Sequence, residues 1–448
     1  MKTLIFRYWD RIRSSLWFIP TVMAITAVLL AYLSVALDRP VANWLLHTWG
    51  WTFTGGADGA SSVLGIIAGS MITIAGVVFS MTLVALSLAT TQLGPRLLRN
   101  FLCDTTTQVV LGTFVATFLY CLLVLLNIRR AEEVAFVPHV SITLGVFFAV
   151  ASVGVLIYFI HHVSVSMQAN EIVARVSREL IAGIDRLFPE HIGREAPRIP
   201  TAPPDADFLD AFDREARPIP ASEDGYLQFI DTDGLLELAI QKDVVIRLER
   251  VPGHYVVAGC PLMLVWPGER ATDLPTDQVN SVFALGNQRN SAQDIEFAVT
   301  QLVEIALRAL SPGVNDPFTA ITCVDHLASA LSRLATRDMP STYRYDSKDH
   351  LRVIAPGATF PEVTDVAFNQ IRQTARSSAA VTIRLLETIA VVVRFAHRSG
   401  DRAALLRHAE MIARGARDGL SEGEDRQVVV DRYQSVIQLC SKSSETSH

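Results

Sequence analysis

The 448-residue chain reads as a mainly α membrane protein, with four transmembrane helices and a cytoplasmic α-helical domain that carries a small β subdomain. Three observations predict this. Half of the residues are of hydrophobic type and mean hydropathy is positive, at +0.31, which a cytosolic protein of this length rarely shows. Four stretches lack charge for the roughly 20 helical residues that a bilayer core of about 30 Å requires. Charge is also unevenly divided. Residues 1–161 have nine Lys and Arg against six Asp and Glu, leaving 30 against 39 beyond them, a net of −9. Such an acidic tail lacks the clustered cations that neutralise a phosphate backbone, which excludes nucleic acid as a partner.

The first span is expected from about Leu16 to Leu37, after the basic residues Lys2, Arg7, Arg11 and Arg13. Ser34-Val-Ala36 has the small-x-small form of a cleavage site, but an apolar region of about 22 residues is long for a signal peptide. Cleavage there leaves the other three spans, and the tail stays on the same side. Trp44, Trp49 and Trp51 follow in an external loop, where indoles favour the membrane interface.

The second span falls between Gly59 and Pro95, with no charged side chain between them. At a 3,4 alternation one face carries Ile66, Gly69, Thr73, Gly76, Ser80, Leu83, Ser87, Thr90 and Gly94. A stripe of hydroxyls and glycines through the bilayer meets either a close helix or water. As helix packing, Gly65 and Gly69 form a small-xxx-small pair. As a pore, copies of the helix surround an axis lined by Thr73, Gly76, Ser80, Leu83, Ser87 and Thr90. Gln92 and Arg96 then stand at the cytoplasmic mouth, and Leu83 forms a hydrophobic constriction.

The third span is expected from Thr105 to Ile128. The fourth lies in the uncharged run Val134 to Asn170, which like the second is 37 residues long. At 1.5 Å per residue each run reaches about 55 Å, so both helices should overshoot the bilayer. Arg96 and Arg99 follow the second span, and Arg175 and Arg178 the fourth; with the N-terminal cations they place both termini in the cytoplasm. His161 and His162 point about 100° apart on a helix, so they read as interfacial residues rather than a chelating pair. The absence of ionisable residues from the bilayer centre, and of an evident inverted repeat, disfavours a secondary transporter.

Beyond residues 1–161, a stalk is expected over 162–188, from Val173, Val176, Leu180, Ile184 and Leu187 at 3,4,4,3 spacing. Residues 189–222 read as a Pro-rich linker. Residues 223–270 read as the small β-containing subdomain, with strands at Tyr226 to Ile230, Val244 to Arg250, Tyr255 to Ala258 and Leu262 to Trp266. The string PGHYVVAGCPLMLV resembles the repeating unit of barrel-sandwich hybrid domains. No lysine occupies the hairpin turn where such carriers are modified, so a carrier function does not follow. Residues 271–448 read as the helical domain, with helices near 293–310, 317–336, 361–379, 381–398, 401–416 and 423–441.

Between the first two of these helices lies Ser311-Pro-Gly-Val-Asn-Asp-Pro317. Asp316-Pro317 is a helix start, and Gly313 suits a left-handed residue after the preceding helix. A second reading makes Ser311, Asn315, Asp316 and Thr319 a ligand or interface site. There Asp316 opposes an anion, so a polar ligand or a neighbouring subunit's arginine fits better. Arg289, Asp294 and Glu296 sit just upstream and are read as lining the same site or as an ordinary helix start.

The remaining motifs exclude chemistry more than they suggest it. Gly55-Gly56-Ala57-Asp58-Gly59 lacks the lysine of a phosphate loop, and neither HExxH nor GxSxG occurs. The five cysteines are odd in number, far apart and without CxxC, so neither a disulfide framework nor a zinc site is indicated. Asp325-His326 reads as helix surface. No acid–base pair or activated nucleophile stands out, so neither enzymatic activity, a cofactor nor a metal is expected.

Two segments, VVFSMTLVALSLATTQLGPRLLRNF from Val77 and AQDIEFAVTQLVEIALRALSPGVNDPFTA from Ala292, are similar to a family of predicted bacterial integral membrane proteins catalogued as a domain of unknown function. The resemblance covers nearly the whole chain. It implies four spans and a cytoplasmic domain in a bacterial inner membrane, and brings no catalytic residue. The functional expectation is a homo-oligomeric, channel-like protein with a pore lined by the second span. Its partners are the lipid bilayer, further copies of itself and a small ion or ligand. The alternative is a membrane-anchored sensor or scaffold whose cytoplasmic domain binds a ligand or protein.

Overall fold

A computed structural model describes residues 17–48, 56–93, 104–128, 136–166, 168–188, 204–274 and 276–445. It divides into two compact units, Trp9–Gln168 and Ala169–His448 with Met1–Tyr8. Helix is the dominant element in both units.

The first unit holds α1 (Phe18–Thr48), α2 (Ala57–Leu93), α3 (Thr105–Leu126) and α4 (His139–Ser166). Each contains a stretch long and apolar enough to cross a bilayer. Helix α3 is the centre of the unit: α1, α2 and α4 all pack on it, and Phe114, Tyr120, Cys121 and Val124 are fully enclosed. Lipid tails are as apolar as leucine, so close packing and internal hydrogen bonds, rather than exclusion of water, hold such helices together. Backbones approach where glycine permits. A Cβ on Gly112 of α3 would stand 3.2 Å from the Pro20 Cα of α1, and one on Gly145 of α4 would meet Leu64 of α2 at 3.2 Å.

Several details of this unit depart from the sequence expectation. Trp44 belongs to α1, which continues to Thr48; Trp49 and Trp51 lie outside the described residues. The second run is one 37-residue helix, but the fourth is not. Helix α4 ends at Ser166, Gln168 forms a bend, and a separate helix begins at Ala169. The uncharged run therefore includes a helix break that hydropathy does not report.

The second unit begins with that helix, α5 (Ala169–Leu187), followed by α6 (Ala206–Glu215). A mixed segment comes next: β1 (Arg217–Pro220), β2 (Gly225–Ile230), α7 (Thr232–Lys242), β3 (Val245–Leu248), β4 (Tyr255–Val256), β5 (Pro261–Trp266), α8 (Thr276–Val282) and β6 (Phe283–Gly286). Two long helices, α9 (Ile295–Ala309) and α10 (Pro317–Ala335), precede β7 (Tyr343–Tyr345) and β8 (Leu351–Ile354). The chain closes with α11 (Phe360–Thr374), α12 (Ala379–Val393), α13 (Ser399–Gly419) and α14 (Gly423–Glu445).

The strands form two sheets. One has the order β1-β5-β3-β8-β7, with only β3 and β8 parallel; the other is antiparallel, in the order β4-β2-β6. Strands thus occur on both sides of residues 223–270, and α6 lies inside the expected linker. Strands β7 and β8 are short segments between helices, and β3, which β8 joins, is about 100 residues away, beyond the reach of local pattern. The string PGHYVVAGCPLMLV does not form one repeating unit, because β4 joins one sheet and β5 the other.

Helix α5 is a core element rather than a free stalk. Val173, Val176, Leu180 and Ile184 are enclosed, and the helix packs on α9 and α10. Ser177 Oγ meets His326 Nδ1 of α10 at 2.9 Å, and Asp185 binds Arg333 of α10 (2.5 Å) and Arg337 just beyond its end (2.6 Å). His326 therefore bridges two helices, and its neighbour Asp325 bonds Arg384 of α12 at 2.6 Å. The pair read as helix surface ties α10 to two others.

Candidate functional site

Two places drew attention in sequence, one in each unit, and each has a definite geometry. On α2 the packed face is Ala60, Leu64, Ala68, Met71, Ala75 and Val78, all at most 5% exposed. Their 4,4,3,4,3 spacing forms a seam against α3 and α4. The striped face lies away from it. Ile66 is 69% and Leu83 47% exposed, and Gly69, Thr73, Gly76, Ser80 and Ser87 are exposed as well. A Cβ added to Gly65, Gly69 or Gly76 would meet nothing within 4 Å. Among the described residues the Gly65–Gly69 pair is thus not a helix contact; alanines fill the seam that glycines were expected to fill. Thr73 donates to the Gly69 carbonyl at 2.8 Å, so its hydroxyl is satisfied within its own helix. Leu83 borders a shallow groove with Trp17, Phe79, Thr107 and Leu111. Thr90 and Gln92 fall on the last turns of α2, and Arg96 lies outside the described residues.

In the second unit, the upstream and downstream halves of the expected ligand site do not meet. Arg289 and Asp294 stand at the start of α9 and Ser311 to Thr319 at its end. Fifteen residues of helix separate them, about 20 Å.

At the start of α9, Arg289 grips Asp294 with Nε and Nη2, at 2.7 and 2.9 Å, and Asp294 caps the helix by accepting from Phe297 N at 2.9 Å. Gly253 (φ +97°), in the turn before β4, lies directly on this pair. Burial raises the pKa of Asp294 despite Arg289, and it raises that of Glu296, aided by the neighbouring Asp294 charge. His254 shifts the other way, held neutral by burial and by the Arg250 and Arg289 charges. This is a tight structural clasp between a turn and a helix cap, and the carboxylate at its centre already has its partners.

At the end of α9 the chain turns through Ser311-Pro-Gly-Val-Asn-Asp316. Ser311 Oγ donates to the Arg308 carbonyl (2.6 Å), and Asp316 accepts from Thr319 N (3.1 Å) and Thr319 Oγ1 (2.5 Å). These bonds hold the Asp316 pKa below its usual value. Asp316 is the helix cap with Pro317 at the first turn, as the residue types imply. The left-handed residue is Asn315 (φ 49°), not Gly313. Asn is the side chain best suited to that conformation after Gly, so either reading satisfies the turn and only the fold selects one. Ser311, Asp316 and Thr319 thus serve the local turn.

Polar ties at both ends of the first unit were not legible beforehand. Asp38, fully buried near the end of the first span, accepts from Val140 N, Ser141 N and Ser141 Oγ at 2.9, 2.9 and 2.6 Å. Tyr120 donates to the Ser141 carbonyl and meets Ser34 Oγ, each at 3.0 Å. Spans one, three and four are joined there. At the other end Asp104 caps α3, binding Thr107 Oγ1 at 2.7 Å and meeting His162 Nε2 of α4 at 2.9 Å. His162 therefore ties two spans, while His161 is exposed. The signal for Asp104 was its place before three threonines. Asp38 had none, because its partners are about 100 residues away. Among the described residues, no cluster of three His, Cys, Asp or Glu side chains has the arrangement to hold a metal.

Residues 13–391 match the family described as predicted membrane protein (DUF2254). An uncharacterized protein of Mycobacterium tuberculosis and one of Mycobacterium bovis are each 34% identical over 386 residues, covering 84% of this chain and 72% of the relative. No solved structure matches. With four membrane-length apolar helices and a family match over most of its length, the chain belongs to the DUF2254 family of predicted membrane proteins.

Proposed function

We propose that this is a homo-oligomeric, channel-like protein of the bacterial inner membrane, with copies of α2 around an axis and a cytoplasmic unit that regulates or assembles the pore. One observation carries the reading. The glycine and hydroxyl stripe of α2 from Gly69 to Ser80 is exposed among the described residues, and the contacts with α3 and α4 use the opposite face; only towards Leu83 does it border a groove shared with α3. Small residues give lipid little to pack against and let another backbone approach closely, so a second copy of α2 is the natural neighbour. In this reading Leu83 forms the constriction, Gln92 and Arg96 bias ion sign at the mouth, and both termini are cytoplasmic. The protein acts on a small ion, without enzymatic chemistry or a cofactor.

The runner-up is a membrane-anchored sensor or scaffold, in which the stripe is a dry contact between copies. The Thr73 hydroxyl favours it, because a group already bonded to its own helix needs no water.

Cysteine accessibility separates the two. In a background free of native cysteines, Ser80→Cys and Ser87→Cys should react with water-soluble thiol reagents, and Val78→Cys and Leu86→Cys should not. Leu83→Ser should raise basal flux in reconstituted vesicles by removing an apolar neck. Protection of both stripe cysteines, with no flux from either wild type or Leu83→Ser, leaves the scaffold as the better account. Reporter fusions after Arg99 and Arg178 should give cytoplasmic signal, and one after Gly56 external signal.

A further inference from the structure

Arg250, between β3 and β4, is half-buried, and among the described residues its side chain has neither a hydrogen-bond partner nor an ion pair; its Nε is fully enclosed. A buried guanidinium donor that meets no acceptor carries the whole cost of its desolvation. The four residues after it close a turn, in which His254 N donates to the Val251 carbonyl at 3.1 Å and Gly253 N to the Leu227 carbonyl at 2.8 Å. The turn has Arg250 at one end and His254 at the other, and it sets Gly253 on Arg289, whose Nη2 stands 3.0 Å from the position of a Cβ there. Arg250, His254 and Arg289 are thus gathered around one turn, and the charges of both arginines act on His254. The His254 ring is exposed and, among the described residues, has no hydrogen-bond partner. Arg289 commits Nε and Nη2 to Asp294, which leaves the Nη1 edge of the guanidinium over. The nearby acids do not complete the set. Asp294 is already held by Arg289 and by Phe297 N, and Glu296, in the first turn of α9, pairs with neither arginine among the described residues. The start of α9 adds the positive end of a helix dipole to the same place.

We propose that Arg250, His254 and the Nη1 edge of Arg289 form a binding site for a soluble phosphate monoester at the turn between β3 and β4. Guanidinium groups present planar pairs of N–H donors that phosphate oxygens accept two at a time, and the imidazole adds a further donor. A metal cation does not suit the set, because arginine offers no acceptor and stays charged. The site stands apart from the pore reading, since it needs neither an oligomer nor conduction. The test is calorimetric titration of the full chain in detergent, with inorganic phosphate as the probe and acetate as the carboxylate comparison at equal ionic strength. Phosphate should bind saturably, and more tightly than acetate. Arg250→Gln should weaken phosphate binding about tenfold or more, the loss of one charge-assisted contact. Its melting point without phosphate should match that of the wild type, because Arg250 ties no other part of the fold. His254→Gln, at an exposed position, gives a second reading and should weaken binding severalfold. Glu296→Gln should tighten it by removing a nearby negative charge. Absence of saturable phosphate binding overturns the proposal. So does tighter binding of acetate, or a phosphate affinity that neither Arg250→Gln nor His254→Gln changes.

Discussion

Gly253→Ala tests the clasp on α9, and its cost follows from the local geometry. Gly253 has φ +97°, and a Cβ there falls 2.6 Å from Asp294 Cγ and 3.0 Å from Arg289 Nη2, too close for either to stay in place. Gly259 provides the internal control, because at φ +84° its Cβ would meet nothing within 4 Å. Backbone strain alone should make Gly259→Ala cost about 1 kcal/mol. At Gly253 the same strain is joined by the loss of the Asp294 cap, about 1 kcal/mol, and of its charge-assisted bonds to Arg289, about 2 kcal/mol. The sum is about 4 kcal/mol. At about 2 °C per kcal/mol for a domain of this size, the second unit should melt about 8 °C lower, against about 2 °C for Gly259→Ala. Thermal unfolding of the purified protein in detergent, followed by circular dichroism, reads both. Adding Gly253→Ala to Asp294→Ala should cost little beyond the strain, since the carboxylate is gone and Arg289, no longer held by it, can swing its guanidinium clear of the new Cβ. Equal shifts for Gly253→Ala and Gly259→Ala, or simple additivity with Asp294→Ala, would refute the clasp.

Four further outcomes follow from the same reasoning. Asp38→Ala leaves Val140 N, Ser141 N and Ser141 Oγ without their acceptor in a low-dielectric bundle, so it should cost about 3 kcal/mol or more, with Asp38→Asn intermediate; equal melting of wild type and Asp38→Ala would remove the tie. Leu180→Ala should cost about 2–5 kcal/mol and Leu180→Asp should unfold the cytoplasmic unit, whereas a Leu180→Asp protein that keeps its melting point but sediments as a smaller species would make the α5 stripe a contact between copies. Asp316→Ala should cost about 0.5–2 kcal/mol and Asp316→Asn little, measured by the same melts; a stable Asp316→Asn protein without function would instead mark a site. Asp185 is held below its usual pKa by Arg333 and Arg337, so its contribution is complete above the unfolded value and disappears as pH falls through the lower folded value; Asp185→Asn should flatten the acid limb of a pH–stability curve, and an unchanged limb would deny the pair a role.

Local sequence pattern carries much of this architecture. Six helices of the tail are placed to within about five residues by periodicity, and Asp316 marks the start of one with a cap that needs only its own next turn; the structure adds caps at Asp294 and Thr359. Strands β2, β3 and β5 were readable for the same reason, each being a run of β-branched and aromatic residues between turn signals. The break between α4 and α5 was not, because Met167-Gln168 looks no different from the uncharged residues before it. The site residues divide along the same line. Asp316 was legible as a cap because its partner is Thr319, three residues on. The function of Gly253 was not, because what it accommodates is Asp294, about 40 residues later.

On α2 both kinds of information meet. Composition and length determined that the helix crosses a membrane, and periodicity determined that its glycines and hydroxyls share a face. Neither determined which face the other spans cover. Ala60, Ala68 and Ala75 are as small as the residues of the opposite stripe, so a one-dimensional pattern offers two possible seams for a close helix. The choice was made by Tyr120, Phe114 and the neighbouring side chains of α3, whose bulk fits against alanines and Leu64. Membrane insertion depends on the transfer of one segment at a time, which the sequence of that segment decides. Packing depends on the shape of the partner, which becomes available only when the chain has brought the partner there.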